Sequence, residues 1–135
     1  IASPLEVADD RMREPCESLC RGSDRTGTLA QRIDSAVAQR AHAFERVTNM
    51  MLGTKAQLWR YETLRTNYAR SQRGLRKDLE AWLPELRDLT EVDCESIHAS
   101  ASFEMWHRLR SEQGLSLEAS RTVVISLLMV LLTSD

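Results

Sequence analysis

A chain of 135 residues, 42% apolar and 28% charged, is long enough to bury one core and too apolar to be a disordered tail. Its formal net charge of −2 excludes the basic field of a free-standing nucleic-acid-binding domain, and five Gly with three Pro leave too little punctuation for an all-β fold. Three cysteines, Cys16, Cys20 and Cys94, are an odd number with no secretory leader visible, which points to a reducing, cytoplasmic setting. Cys16 and Cys20 lie four apart but lack a second ligand pair, so neither a metal nor any other cofactor is expected.

The first segment, 1–27, opens with Ser3 as a helix cap and Pro4 in the first helical position. Pro15 then kinks or ends that helix, and "RGSDRTG" at 21–27 is the clearest loop. The expectation is a linker with a short helix, followed by a helical domain over 28–135.

From Thr28, a possible cap, Leu29, Ile33, Val37, Ala41, Phe44 and Val47 form one apolar stripe at helical spacing. "TNMMLGTKAQ" passes through Gly53 and predicts a short helix or turn with Met50, Met51 and Leu52 inward. The next helix, from Trp59 to about Leu83, places Tyr61, Leu64, Tyr68, Leu75, Leu79 and Trp82 on one face, and Pro84 ends it. Thr90 caps a helix expected to run unbroken to about Glu112, with Gly114 at the position of a C′ glycine. Ser116 and Glu118 start the last helix, and the short loop makes these two helices antiparallel neighbours. No stretch alternates at period two for long enough to need a sheet, so the fold class is all-α, an antiparallel helical bundle.

The last helix contains "TVVISLLMVLL", eleven residues against the roughly 20 that cross a bilayer, and no membrane is expected. It is apolar nearly all round. One side covers the domain's own core, and the other would leave about 300–400 Å² uncovered, near the limit a monomer tolerates. Covering that area is worth on the order of 8–10 kcal/mol before association costs. A two-fold mate does so through a four-helix interface built from Ala99, Ser102, Trp106, Leu109, Val124, Leu127, Leu128 and Leu131. Small residues at 99–102 permit close helix approach.

The stretch "ASFEMWHRLRSEQGLSLEASRTVVISLLMVLL" resembles the C-terminal end of TetR/AcrR-type transcriptional regulators, whose penultimate helix carries an aromatic-x-x-Trp-x-x-Leu-Arg element before a Gln-Gly-Leu-Ser turn. "LAQRIDSAVAQRAHAFERVTNMM" and "LRKDLEAWLPEL" are similar to inducer-domain helices of that family, so the resemblance covers roughly 28–132 and is most specific over 103–117. The family's N-terminal helix-turn-helix is absent from this sequence. The resemblance therefore implies an effector-binding and dimerisation domain that reaches operator DNA only through a head upstream of Ile1. It implies a homodimer that releases DNA when a small lipophilic effector enters the bundle, the linker carrying the motion. Phe44, Met50, Met51, Trp59, Tyr61, Tyr68, Trp82, Ile97 and Phe103 offer the apolar lining such a pocket needs. Arg40, His42, Asn67, Gln72 and His98 are its candidate polar handles. Each aromatic taken alone is equally accounted for by core packing.

Enzyme readings find little. Glu104 and His107 stand three apart, as in a di-iron bundle, but only once, and there is no phosphate-binding glycine loop. The rival to a sensor is a helical dimerisation or adaptor module. A cavity in the Phe44–Trp82 region would favour the sensor, and a bundle packed solid would favour the adaptor.

Overall fold

The computed structural model describes residues 25–134, and every regular element among them is helical. The expectations for Ser3, Pro4, Pro15, Cys16 and Cys20 lie outside the described residues. The elements are α1 (Leu29–Gln57), α2 (Glu62–Trp82), a 3₁₀ turn (Pro84–Asp88), α3 (Glu91–Ser100), α4 (Phe103–His107), a π turn (Arg108–Glu112) and α5 (Leu117–Thr133). The long α1 packs against α2, α4 and α5, and α5 packs along α3 as well.

Local chemistry starts these helices. Thr28 Oγ1 accepts from Gln31 N at 3.2 Å while Gln31 Oε1 accepts from Thr28 N at 2.9 Å, a complete capping box. Thr90 and Ser116 cap α3 and α5 through Asp93 N and Ala119 N. Pro84 sits in the first turn of the 3₁₀ segment, where its missing N–H costs nothing.

Two expectations are corrected. Gly53 does not interrupt α1, which continues four residues beyond it to Gln57. One helical glycine costs about 1 kcal/mol, and the buried Met51 and Thr54 on either side hold the helix through it. The helix expected from Thr90 to Glu112 is instead three pieces. At Ala101 the backbone leaves the helix (φ −94°, ψ 7°), and Ser102 becomes extended and caps a new one by accepting from Met105 N at 3.2 Å. The α4 axis then swings Phe103 and Trp106 into the core, with Phe103 edge-on to Phe44 at 5.6 Å.

At the end of this run Gln113 N donates to Arg108 O at 2.8 Å, one residue wider than an α-helical bond, and Leu115 N to Leu109 O at 3.0 Å, two residues wider. Gly114, at φ +67°, supplies the left-handed step that closes the turn. Arg110 braces it by donating to Leu115 O at 2.9 Å and to Glu45 of α1 at 2.6 Å. α5 thus returns with Ser120, Val124 and Leu128 inward. Its opposite side carries Thr122, Ser126, Thr133 and Val130, the last 64% exposed. No helix among the described residues is long and apolar enough to cross a membrane.

Candidate functional site

Where α1, α2 and the α3–α4 junction converge, the core contains charge. Arg40 projects from the buried face of α1 and is only 5% exposed. It donates to Ala101 O at 3.3 Å, filling a carbonyl that the helix break would otherwise leave in an apolar interior, and adds a second donor to Leu75 O within α2. Its counter-ion is Asp78, whose side chain is 1% exposed and lies 3.8 Å away. Asp78 also accepts from Arg25 at 2.8 Å, and the Arg25 guanidinium lies 5.1 Å over the Trp82 ring. Burial pushes the Asp78 carboxyl above its usual range, with the two arginines acting against that shift. Nearby, Arg32 forks onto Glu85 at 2.8 and 2.6 Å and donates to Trp82 O at 3.1 Å, fixing the end of α2 to the start of α1.

Arg40 also lies between the two hollows that bear on function. The inner one is a void of about 10 Å³ between Phe44, Leu79, Ser100, Trp106, Val124 and Leu128. That is room for about one water, not for an effector. The buried Trp106 Nε1 has no hydrogen-bond partner and belongs to a residue of this lining.

The outer hollow is an open cleft of about 380 Å³ lined by Arg40, Gln72, Leu75, Arg76, Glu95, His98, Ala99, Ser102 and Glu104. Across it Arg76 of α2 forks onto Glu95 of α3 at 2.7 and 3.2 Å, drawing the Glu95 carboxyl below the usual carboxylate range. Glu104 is held by Lys55 at 3.0 Å and by the Tyr68 hydroxyl at 3.5 Å. Burial, with Glu104 second, pushes the Tyr68 phenol up to about 12. The His98 side chain is only 8% exposed, and its Nε2 stops 3.8 Å short of Glu80. Burial first, then the charges of Arg76 and Arg40, hold this imidazole below the ordinary histidine range, while Glu80 and Glu95 pull the other way.

The nine residues expected to line an effector pocket do not surround a common space. Phe44, Met51, Trp82, Ile97 and Phe103 are core, and only Phe44 among the nine touches the inner void. Met50, Tyr61 and Tyr68 are half-buried, and Trp59 stands 77% exposed at the α1–α2 connection with Arg60 over its ring. Of the polar handles, Arg40, Gln72 and His98 meet in the cleft, whereas His42 is exposed and Asn67 lies outside it.

The eight residues expected at a dimer interface divide similarly. Trp106, Leu109, Val124 and Leu128 are consumed by the chain's own core. Ser102 lines both hollows, and Leu131 packs onto the core's edge. Ala99 is exposed and Leu127 is half-buried outside the core cluster. The sequence assigned opposite helix faces to core and partner, but the break at Ala101 rotates α4 so that Trp106 and Leu109 point inward.

No group of three or more His, Cys, Asp or Glu among the described residues is placed to hold a metal ion. Comparison with known proteins gave no match to a family model, to a curated protein or to a solved structure.

Proposed function

We propose that this chain is the regulatory and dimerisation domain of a TetR-like transcriptional repressor, acting on DNA through a head outside this sequence and releasing it when a small ligand binds. The observation that supports this best is the terminal hairpin. Its Phe103–x–x–Trp106–x–x–Leu109–Arg110 element is seated in the core, its Gly114 turn is braced onto α1, and the following helix presents Val130 and Leu127 outward. A second copy laid on that outer face covers it. The partner surface is thus narrower than the eight residues expected, and it is mixed with Ser126 and Thr122.

Size-exclusion chromatography with light scattering tests the assembly. Twice the chain mass of 15.4 kDa is expected at micromolar concentration, and Val130→Asp is expected to return the mass to one chain. A wild-type monomer sinks the dimer reading. Sequencing upstream of the Ile1 codon tests the rest, since a regulator of this type requires a helix-turn-helix there.

One observation favours a second reading, a helical dimerisation module with no internal pocket: the hollow beside Phe44, Trp106 and Leu128 has room for only about 10 Å³. A lipophilic effector in the middle of the bundle would need α1, α2 and α4 to part. Both readings share the dimer, and neither assigns an enzyme activity.

A further inference from the structure

The polar cleft between α2 and the α3–α4 junction lies outside the apolar core, and its walls are oppositely charged. The α2 wall brings Arg76 and Gln72, with the buried Arg40 behind them. The facing wall brings Glu95 and Glu104, with Ser102 between the helices and the nearly buried His98 beside Glu95. Leu75 and Ala99 supply a small apolar surface. At about 380 Å³ the cleft falls within the range of small-molecule sites. We propose that it binds a compact zwitterion of amino-acid size, which enters between Arg76 and Glu95 and replaces each as the other's counter-ion. The ligand carboxylate takes the Arg76 fork, the ammonium takes Glu95 with Glu104 behind it, and an aliphatic side chain lies on Leu75 and Ala99.

Three features carry this. Arg76 and Glu95 are 40% and 58% exposed, and an ion pair so open to water contributes little, so exchanging it for a ligand loses little. The fork geometry that now matches the Glu95 carboxylate matches any other carboxylate equally. The His98 imidazole, sunk between the walls with Nε2 unbonded, is a polar group that the fold has buried without a hydrogen-bond partner at that atom. A ligand of single charge would engage one wall and leave the other to water, forgoing the second contact, which sets the preference for a zwitterion over an anion or an amine.

The site stands on the cleft alone, so it holds or fails whether or not the chain is a dimer or a regulator. The test uses the full chain, isotopically labelled, with the His98 ring resonances as reporter. Three probes share one aliphatic group: L-leucine, 4-methylpentanoate (its carboxylate alone) and isoamylamine (its ammonium alone). Leucine is expected to shift His98 saturably at millimolar concentration, and each truncated probe to bind about tenfold or more weakly. Arg76→Gln and Glu95→Gln are each expected to weaken leucine binding about tenfold, and Arg76→Lys to recover part of the loss because it keeps the charge but not the fork. Both positions are exposed, and thermal melts of each variant establish that it folds. No saturable shift by leucine up to about 20 mM overturns the proposal. So does binding of either truncated probe as tightly as leucine, which would make the cleft a plain anion or amine site. Leucine binding unchanged in both glutamine variants also overturns it.

Discussion

Replacing Leu128 by Ala separates the observed rotation of α5 from the alternative in which this residue faces a partner. Leu128 is 0% exposed, sits in the core cluster with Trp106 and Val124, and borders the 10 Å³ void. Buried Leu→Ala changes cost about 2.7–5 kcal/mol, rising with the cavity that remains. Here the removed carbons would open onto an existing void between helices that are clamped by Arg40 and Arg110, so little collapse is available. The expected loss is about 3–4 kcal/mol, near the middle of that range. In a domain of this size that lowers Tm by about 10–15 °C. Urea unfolding at two protein concentrations tenfold apart measures it. The loss should appear equally at both, because the lost contacts lie within one chain. Leu127→Ala, half-buried and outside the cluster, should cost under about 1 kcal/mol in the monomer. Equal losses for the two variants, or a Leu128→Ala effect under about 1 kcal/mol, would refute the rotation described.

Arg40→Met keeps the aliphatic stem but leaves Ala101 O without its side-chain donor and the buried Asp78 with Arg25 alone, so a loss of about 1–3 kcal/mol is expected in chemical denaturation; a neutral result would refute the Arg40 clamp. His98 is held below its unfolded pKa, so the unfolded chain binds protons more readily there. Its contribution is intact above about pH 6.5 and is lost as the pH falls below that toward the folded value. Urea melts at pH 7.5 and 5.5 should therefore show stability falling on acidification, with His98→Gln flattening that slope; an unchanged slope rules out His98 as its source. Gly114→Ala places a Cβ on a residue at φ +67°, and although open space surrounds it the left-handed backbone alone should cost about 1–2 kcal/mol in Tm analysis.

What could be read in advance was what neighbouring residues decide. Thr28 with Gln31, Thr90 with Asp93, Ser116 with Ala119 and Gly114 are each settled within a few positions, and all four fall where their chemistry requires. The failures lie where distant residues decide. Gly53 offered a break that packing of Met51 and Thr54 declined, whereas Ser102 offered a cap that the chain took, and local propensity ranks these two the other way round. The rotation of α5 was illegible for another reason. With apolar residues nearly all round, any side fits the core, and the residue that marks the inner face is the fully buried Ser120, a polar group on which hydrophobic pattern gives no purchase.

The site was hidden by the same logic. Arg40 was set among the candidate handles of an internal pocket because a charged residue beside an apolar stripe reads as a ligand contact rather than as a part of the core. It is instead buried, because the break at Ala101 leaves a carbonyl there and α2 brings Asp78 and Leu75 O within reach. That one ionic cluster also connects the lead-in to α1 with the back of the cleft. Arg25, on the strand of chain leading into α1, and Arg40, at the back of the cleft, share the two oxygens of Asp78. A lipophilic pocket at the centre of the bundle would require parting helices whose inner hollow leaves about 10 Å³ free, whereas the polar cleft of about 380 Å³ beside Arg40 is already open, so a ligand there asks the fold for less rearrangement.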